Sequence, residues 1–226
     1  MTSSIRLLIV AEGVTEETFV GKILTPHLSA RAIYPSARLV EFSRTKARIY
    51  RGGLLKYAAA KRDILLLLQE DPTIYVTTMF DLYALPTTFP MYELAKQPTD
   101  PKERIKILEE GLRADINNDR FIPYIQLHEY EALLFSDISK IDYVMKTLQG
   151  ESHLTKLERI MTQFPSPELI NDGPTTAPSK RLLEIYSTYD KVLSGSLIAQ
   201  EIGLSTIRKE CPHFNSWLET LENLQQ

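Results

Sequence analysis

A short apolar run that stops at a carboxylate and a glycine most constrains how this chain can fold. Residues 5–10 are apolar and partly β-branched, and Glu12 and Gly13 follow them closely. Such a run, bounded by polar residues, predicts a buried strand. An apolar stripe at helical spacing comes next, with Thr15 as the expected cap and Pro26 as the expected end. We therefore predict a β-loop-α unit with Glu12 at the carboxyl end of its strand, where open α/β sheets bind their ligands.

Strand-like and helix-like segments alternate after this unit. We predict strands over 37–42, 73–80 and 121–127, and helices over 54–69 and 101–117. Pro123 predicts either an edge position or the start of the last strand. Alternation of this kind predicts a mainly parallel sheet. The fold class we expect is therefore α/β, with a core over residues 1–137 and a helical C-terminal region over 138–226 packed on that core.

Composition and charge restrict the class of protein. Hydrophobic residues make up 43% of the chain and charged residues 24%, which is typical of a soluble globular protein. Cys211 is the single cysteine, so an internal disulfide is excluded and a reducing setting is favoured. The first apolar stretch is too short for a signal peptide or a membrane span, and we expect a cytoplasmic protein without membrane contact. A net charge of -3 argues against strong unaided binding of nucleic acid but leaves a local basic patch open.

Acidic residues follow three of the predicted strands. They are Glu12, Asp81, and either Glu129 or Glu131. The carboxyl ends of parallel strands share one edge of a sheet, so these carboxylates are expected to converge there. Such an oxygen-rich set suits Mg²⁺ or Mn²⁺, which can bridge phosphate oxygens or generate hydroxide from bound water. Glu16, four residues after Glu12, is a further candidate ligand.

Each of these acids also has an ordinary structural interpretation. Glu12 and Glu16 can be helix-start acids that complement the helix dipole. Asp81 can be a loop or capping aspartate, and Glu129 and Glu131 can occupy the exposed first turn of a helix. The sequence leaves these alternatives open.

Four cations lie within eight positions of a predicted loop. They are Arg44, Lys46, Arg48 and Arg51, and a second basic pair is formed by Lys180 and Arg181. All six can contact phosphate groups of a substrate. The alternatives are a solvated loop for the first group and a charged helix face for the second.

Two more side chains near the acids are candidates for the same site. His128 can act as a general base or a phosphate contact, and it can equally be a structural histidine with satisfied hydrogen bonds. Tyr83 can form a hydrogen bond across the site or simply pack. The chain has no glycine-rich phosphate loop and no dinucleotide-binding motif, so ATP hydrolysis or nicotinamide binding by this chain alone is disfavoured.

The segment from Ile9 to Glu17 resembles the opening motif of Toprim-like domains, which occur in topoisomerases, primases and overcoming-lysogenization-defect (OLD) nucleases. Met79 to Tyr83 resembles their second motif, normally Asp-x-Asp, with Asp81 at the first aspartate. Tyr83 stands at the second aspartate position. This departure favours one metal ion, or a metal held partly by Glu16 or Glu131.

The whole chain also resembles the bacterial domain-of-unknown-function family 4276. The segments that carry this resemblance are 75–81, 125–137, 171–174 and 211–214. Similarity to RloB-type and OLD-type Toprim proteins implies an anti-phage role beside an ABC- or AAA-type ATPase. It also implies that Glu131, in the sequence Tyr-Glu-Ala-Leu-Leu, belongs to the site.

We thus predict a metal-dependent nuclease that hydrolyses phosphodiester bonds in DNA or RNA. Glu12, Asp81 and Glu131 would hold Mg²⁺ or Mn²⁺, with Glu16, Glu129 and His128 assisting. An ATPase partner would deliver or gate the substrate, and a homodimer is one of the assemblies left open. The alternative is a catalytically inert subunit that regulates an ATPase complex.

Overall fold

The structure, a computed structural model, describes residues 4–44, 49–51, 56–170, 173 and 175–225. The chain divides into two compact units, which we call unit 1 (residues 1–126 and 222–226) and unit 2 (residues 127–221). The domain boundary expected after residue 137 stays a prediction, because a compact unit need not be an independently folding domain. No helix in the described ranges is long and apolar enough to cross a membrane.

Unit 1 is built around a parallel sheet flanked by helices, which confirms the predicted fold class. Its strands are β1 (Ile5–Ala11), β2 (Ile33–Leu39), β3 (Glu41–Arg44), β4 (Ile49–Arg51), β5 (Tyr75–Asp81), β6 (Phe121–Ile122) and β7 (Ile125–Gln126). The main sheet has the order β2-β1-β5-β6, and β7 also pairs with β5. All of these pairings are parallel, whereas β3 and β4 form a separate antiparallel pair.

The two central strands are the ones that the sequence predicts best. β1 and β5 pair from Leu7 opposite Tyr75 to Ala11 opposite Met79. Their side chains are buried almost throughout, because helices cover both faces of a parallel sheet. The predicted bounds of the second strand were wrong, since β2 begins at Ile33 and not at residue 37. Pro35 is tolerated there because β2 is an edge strand and needs its N–H groups on one side only.

The helical segment after β1 differs from its prediction at both ends. It consists of α1 (Val14–Phe19), a π-helical turn over Val20–Leu24, and α2 (Thr25–Ser29). The cap position is Gly13 and not Thr15, and Pro26 lies in the first turn of α2 instead of ending the helix. The backbone stays helical from the π-helical turn through Leu24 and Thr25 into α2, so Pro26 does not end the segment.

The last strand is interrupted at Pro123, which separates β6 from β7. The hydroxyl of Thr78 on β5 spans the break, since it donates to the Tyr124 carbonyl at 2.8 Å and accepts from the Tyr124 N–H at 2.9 Å. The path of the sheet ends at this strand, so the predicted edge position is confirmed.

The remaining helices of unit 1 are α3 (Tyr57–Glu70), α4 (Tyr92–Ala95) and α5 (Pro101–Ile116). The prediction for α5 is confirmed within one residue. Asp100 caps it by accepting from the Lys102 N–H at 2.9 Å, and Asn117 ends it in the left-handed conformation. The predicted start of α3 at residue 54 lies outside the described residues.

Unit 2 is helical, as predicted for most of this part of the chain. Its elements are a 3-10 helix over Tyr130–Asp137, α6 (Ile138–Gln149), α7 (Leu154–Met161), a short 3-10 turn over Pro167–Leu169, α8 (Pro178–Ile185), α9 (Leu193–Ile202), α10 (Leu204–Glu210) and α11 (Pro212–Glu222). The 3-10 helix at 130–137 is buried over its first six residues, and α6, α8, α9 and α10 pack around it.

Two buried carboxylates stabilise the loops of unit 2. Asp142 accepts hydrogen bonds from Ser152 Oγ, the His153 N–H and the Tyr186 hydroxyl, at 2.6, 2.6 and 2.8 Å. Glu168 accepts from the backbone N–H groups of His213 and Phe214, at 3.0 and 2.9 Å, and so caps the start of α11. Buried carboxylates of this kind satisfy backbone donors that helix geometry leaves without partners.

Candidate functional sites

Glu12 and Asp81 lie at the carboxyl ends of the two central strands. The Glu12 N–H donates to the Met79 carbonyl at 3.3 Å, which extends the pairing of β1 and β5 by one residue. Oε2 of Glu12 accepts a hydrogen bond from the Asp81 N–H at 3.1 Å. The side chain of Glu12 therefore crosses from its own strand to the end of β5. Both acids are only partly buried.

Glu16 folds back over the loop that follows Glu12. Its side chain lies in the first turn of α1 and is buried. A Cβ atom on Gly13 would lie only 3.1 Å from Oε2 of Glu16, so any larger residue there would displace this carboxylate. The glycine of the opening motif thus leaves room for the Glu16 carboxylate next to Gly13. A role for Glu16 as ligand or base stays a prediction.

Tyr83 occupies the position where the resemblance expects a second acid. It lies in a 3-10 turn over Leu82–Ala84 directly after Asp81, and 48% of its surface is exposed. The alternatives of a packed side chain and of a hydrogen bond across the site both stay predictions. A half-exposed phenol beside Asp81 brings no negative charge to this edge of the sheet.

Glu129 and Glu131, in unit 2, are deeply buried. Only 4% of Glu129 and 1% of Glu131 is exposed, so the alternative that they form the exposed first turn of a helix is wrong. The cause is the burial of the whole 3-10 helix that begins at Tyr130. Buried carboxylates require partners that compensate their lost hydration.

Glu129 obtains its partners from the start of α8. It accepts from Ser179 Oγ at 3.1 Å and from the Ser179 N–H at 3.3 Å. Ser179 is the second residue of α8, where N–H groups have no intrahelical acceptor and the helix dipole favours negative charge. Glu129 also lies 3.5 Å from Nζ of Lys191. It therefore joins the start of α8 to Lys191.

Glu131 contacts Lys191 with both of its oxygens. Nζ of Lys191 lies 3.1 Å from Oε1 and 3.2 Å from Oε2. Burial raises the pKa of Glu131 to about 8; Lys191 opposes this shift, whereas the neighbouring Glu129 adds to it. The ammonium group of Lys191 therefore contacts two buried carboxylates. Glu131 binds its proton more tightly than an ordinary glutamate does.

His128 is buried and adopts an unusual backbone conformation. Its φ of 63° lies in the left-handed region, which is uncommon for a residue with a side chain. Only 3% of the residue is exposed, and both ring nitrogens are buried. Burial favours the structural interpretation over a general base that must reach a substrate, and the catalytic role stays a prediction.

The basic residues fall into separate places. Arg44 lies in β3 and Arg51 lies in β4, and these two strands pair in antiparallel orientation, so neither residue is in a loop. Lys46 and Arg48 lie outside the described residues. Lys180 is exposed on α8. Arg181 is partly buried, and its Nε donates to the Thr176 carbonyl at 2.7 Å.

Sequence reasoning missed Lys191 and Ser179. Sixty positions separate Lys191 from Glu131, so no local pattern connects them. The Cys211 thiol is buried 3.3 Å from Ser136 Oγ, and burial raises its pKa. A thiol held in its neutral form is a poor nucleophile, which agrees with a structural cysteine.

The described part of the chain provides fewer metal ligands than the sequence predicts. Among the described residues, no group of three or more His, Cys, Asp or Glu side chains is arranged to hold a metal ion. Within unit 1, Glu12 and Asp81 provide two neighbouring carboxylates of the kind that Mg²⁺ and Mn²⁺ prefer. Such ions commonly bind to one or two carboxylates and keep several water ligands, so the pair fits a hydrated ion.

The parallel sheet with acids at its strand ends defines an α/β protein with a candidate cation site. The chain belongs to the family described as "Domain of unknown function (DUF4276)", whose model matches residues 11–222. This confirms the family resemblance expected from the sequence. No curated protein gives a significant match.

Solved structures of OLD proteins show a remote similarity over the full length. The C-terminal region of the Burkholderia pseudomallei OLD protein is 18% identical, with 97% of this chain and 100% of that chain covered and a TM-score of 0.48. The C-terminal region of the Xanthomonas campestris pv. campestris OLD protein is 15% identical, with 100% and 97% covered and a TM-score of 0.48.

Proposed function

We propose that this chain is a Toprim-like, metal-dependent hydrolase that cleaves phosphodiester bonds in DNA or RNA. The observation that carries the proposal is the contact between Glu12 and the end of β5 at Asp81, at the carboxyl edge of a parallel sheet. Ligands of open α/β sheets bind at this edge. Two partly exposed carboxylates at this edge support an oxygen-rich site for a ligand.

Glu12 and Asp81 are the residues that would hold Mg²⁺ or Mn²⁺. When bound, such an ion polarises phosphoryl oxygens and lowers the pKa of coordinated water. Glu16, close to Glu12, would then orient that water or accept its proton. Glu131 enters as a third ligand only through the family resemblance, and its contacts with Lys191 make it the ligand with the least support.

The biological setting follows from the resemblance and is part of the proposal. OLD-type and RloB-type relatives imply an ATPase partner, an anti-phage role and a cytoplasmic location. The acidic net charge of -3 is consistent with an enzyme that gains affinity for nucleic acid from a partner. A homodimer stays one of the assemblies to be tested.

Metal binding and cleavage are the direct test. We expect calorimetry to detect millimolar or tighter binding of Mn²⁺ or Mg²⁺, and labelled DNA or RNA to be cut when the ATPase partner is present. The double variant Glu12→Gln/Asp81→Asn should abolish both. Glu17→Gln is the matched control, because Glu17 is an exposed acid of α1, five positions after Glu12. Cleavage that survives the double variant would refute the assignment.

The second candidate is an inert regulatory subunit of an ATPase complex. Tyr83 in place of an acid favours it, because that residue leaves this edge of the sheet with less negative charge than a two-metal site needs. For such a subunit we expect no metal binding, no cleavage, and an altered ATPase rate of the partner. Glu12→Gln would leave that rate unchanged.

A further inference from the structure

A cleft of about 280 Å³ opens within unit 2 between α7 and α8. We call it the basic cleft and define it by the residues that line it: Lys156, Arg159, Ile160, Arg181, Glu184 and Ile185.

The basic cleft carries an excess of positive charge in a chain that is acidic overall. Three of its lining residues are cations and one is an acid, whereas the net charge of the protein is -3. A cationic surface on an acidic protein attracts anions locally, and this effect weakens as salt increases. The basic cleft is therefore a local basic patch of the kind that a net charge of -3 still permits.

Arg181 is held in place at one side of the cleft. Its Nε donates to the Thr176 carbonyl at 2.7 Å, and its guanidinium carbon lies 5.3 Å from the centre of the Phe164 ring. A guanidinium oriented in this way loses little freedom when it contacts an anion, and its planar geometry matches the oxygens of phosphate.

Lys156 and Arg159 supply the other two positive charges of the cleft. Both are exposed on α7 and three positions apart, so they lie on the same face of the helix. Ile160 and Ile185 add apolar surface to the same cleft. Cations beside apolar surface match a phosphate that is attached to a sugar and a base.

We propose that the basic cleft binds phosphate groups of nucleic acid. That the ligand is a nucleic acid rests on the proposed function. That the ligand carries phosphate groups is inferred from the cations that line the cleft. The assignment gives Arg181 a role as a phosphate contact and adds Lys156 and Arg159, which the sequence did not single out. Lys180 does not line the cleft.

Fluorescence anisotropy with labelled 20-nucleotide DNA and RNA tests the proposal, with EDTA present so that cleavage cannot interfere. We expect Lys156→Ala/Arg159→Ala to weaken binding by roughly tenfold and to lower the slope of log K against log salt by about 2. Glu184→Gln should strengthen binding, because it removes the single acid of the cleft. Lys146→Ala/Lys209→Ala is the matched control, since it removes two exposed cations elsewhere in unit 2.

The outcomes separate this proposal from the proposed function. Unchanged binding in the cleft variants, or an equal loss in the control, overturns the basic cleft as a phosphate site. Glu12→Gln should retain full binding here even though cleavage is lost, so a failure of the nuclease proposal leaves this measurement intact. Competition with AMP and pyrophosphate identifies the source of the phosphate. Micromolar competition by AMP supports a free nucleotide in the cleft, whereas competition only by polymer supports nucleic acid.

Discussion

The carboxylates of the two units have the same chemistry but opposite surroundings. Glu12 and Asp81 in unit 1 are partly exposed at strand ends, and the contact between them runs through a backbone N–H. Glu129 and Glu131 in unit 2 are buried and already paired with Ser179 and Lys191. The first pair is the one we propose as a cation site, whereas the second pair already contacts an internal cation, Lys191. Acids that follow predicted strands can therefore differ widely in exposure and in the partners they contact.

The largest expected effect is a loss of metal affinity without a loss of stability when Asp81 is replaced. Asp81→Asn should weaken Mn²⁺ binding by about a hundredfold, because it removes one of two proposed carboxylate ligands, while the free energy of unfolding stays within about 0.5 kcal/mol. Calorimetry and urea denaturation measure the two quantities. A large loss of stability with unchanged affinity would show that unit 1 uses its acids as unit 2 does.

Replacing Lys191 tests whether the buried acids of unit 2 contribute to stability. Lys191→Met leaves two buried carboxylates with one compensating charge fewer, and we expect a loss of about 2 kcal/mol, reduced from the value for fully buried pairs because Lys191 is 48% exposed. Urea denaturation at pH 8.5 measures it. Lys209→Met, at an 81% exposed position, is the control and should change little. Equal stability of both variants would contradict the role given to Lys191.

The raised pKa of Glu131 predicts a dependence of stability on pH. The folded state binds this proton more tightly than the unfolded state, whose carboxyl titrates near its ordinary pKa of 4.5. The stabilisation is therefore fully present below pH 4.5 and is lost as the pH rises through about 8. Between pH 7 and 9 we expect a decrease of about 1 kcal/mol in the free energy of unfolding.

Glu131→Gln is the variant that isolates this effect, since it has no proton to lose. Its stability should change less between pH 7 and 9 than that of the natural chain, in urea denaturation series at the two pH values. Parallel curves for both proteins would mean that another group titrates.

The smallest expected effect concerns the start of α8. Ser179→Ala removes the hydroxyl contact with Glu129 but keeps the backbone one, and it should cost about 1 kcal/mol. Ser187→Ala, at an exposed position just after this helix, should cost almost nothing. Thermal unfolding measured by circular dichroism compares the two. If both variants melt alike, Glu129 does not depend on the hydroxyl.

The sequence predicts best where one local pattern decides the structure. Strands β1 and β5 have continuous apolar runs, and α5 has a proline near its start and a clear stripe, so their bounds are close to the prediction. Glu12 and Asp81 at strand ends follow directly from those runs. Their contact needs only the register between neighbouring parallel strands.

The sequence predicts the structure poorly where contacts between residues far apart in the chain determine it. The burial of Glu131 depends on four helices that pack around residues 130–137, and its partner Lys191 lies sixty positions away. The sequence predicts a loop at Arg44 and Arg51 because β3 and β4 have no apolar pattern in the sequence. Their pairing with each other is what forms these strands. Pro26 reads as a helix end because a π-helical turn leaves no signature in single residues.

The broken strand at Pro123 also bears on whether another chain can add a strand to this edge of the sheet. A sheet edge with free N–H and C=O groups is a template on which another chain can add a strand, and such addition propagates into aggregates. Proline provides no N–H donor at this edge, and residues 121–127 are buried. The Thr78 hydroxyl satisfies the backbone of Tyr124 from the inner side. The same break that obscures the strand in the sequence therefore protects the sheet against polymerisation.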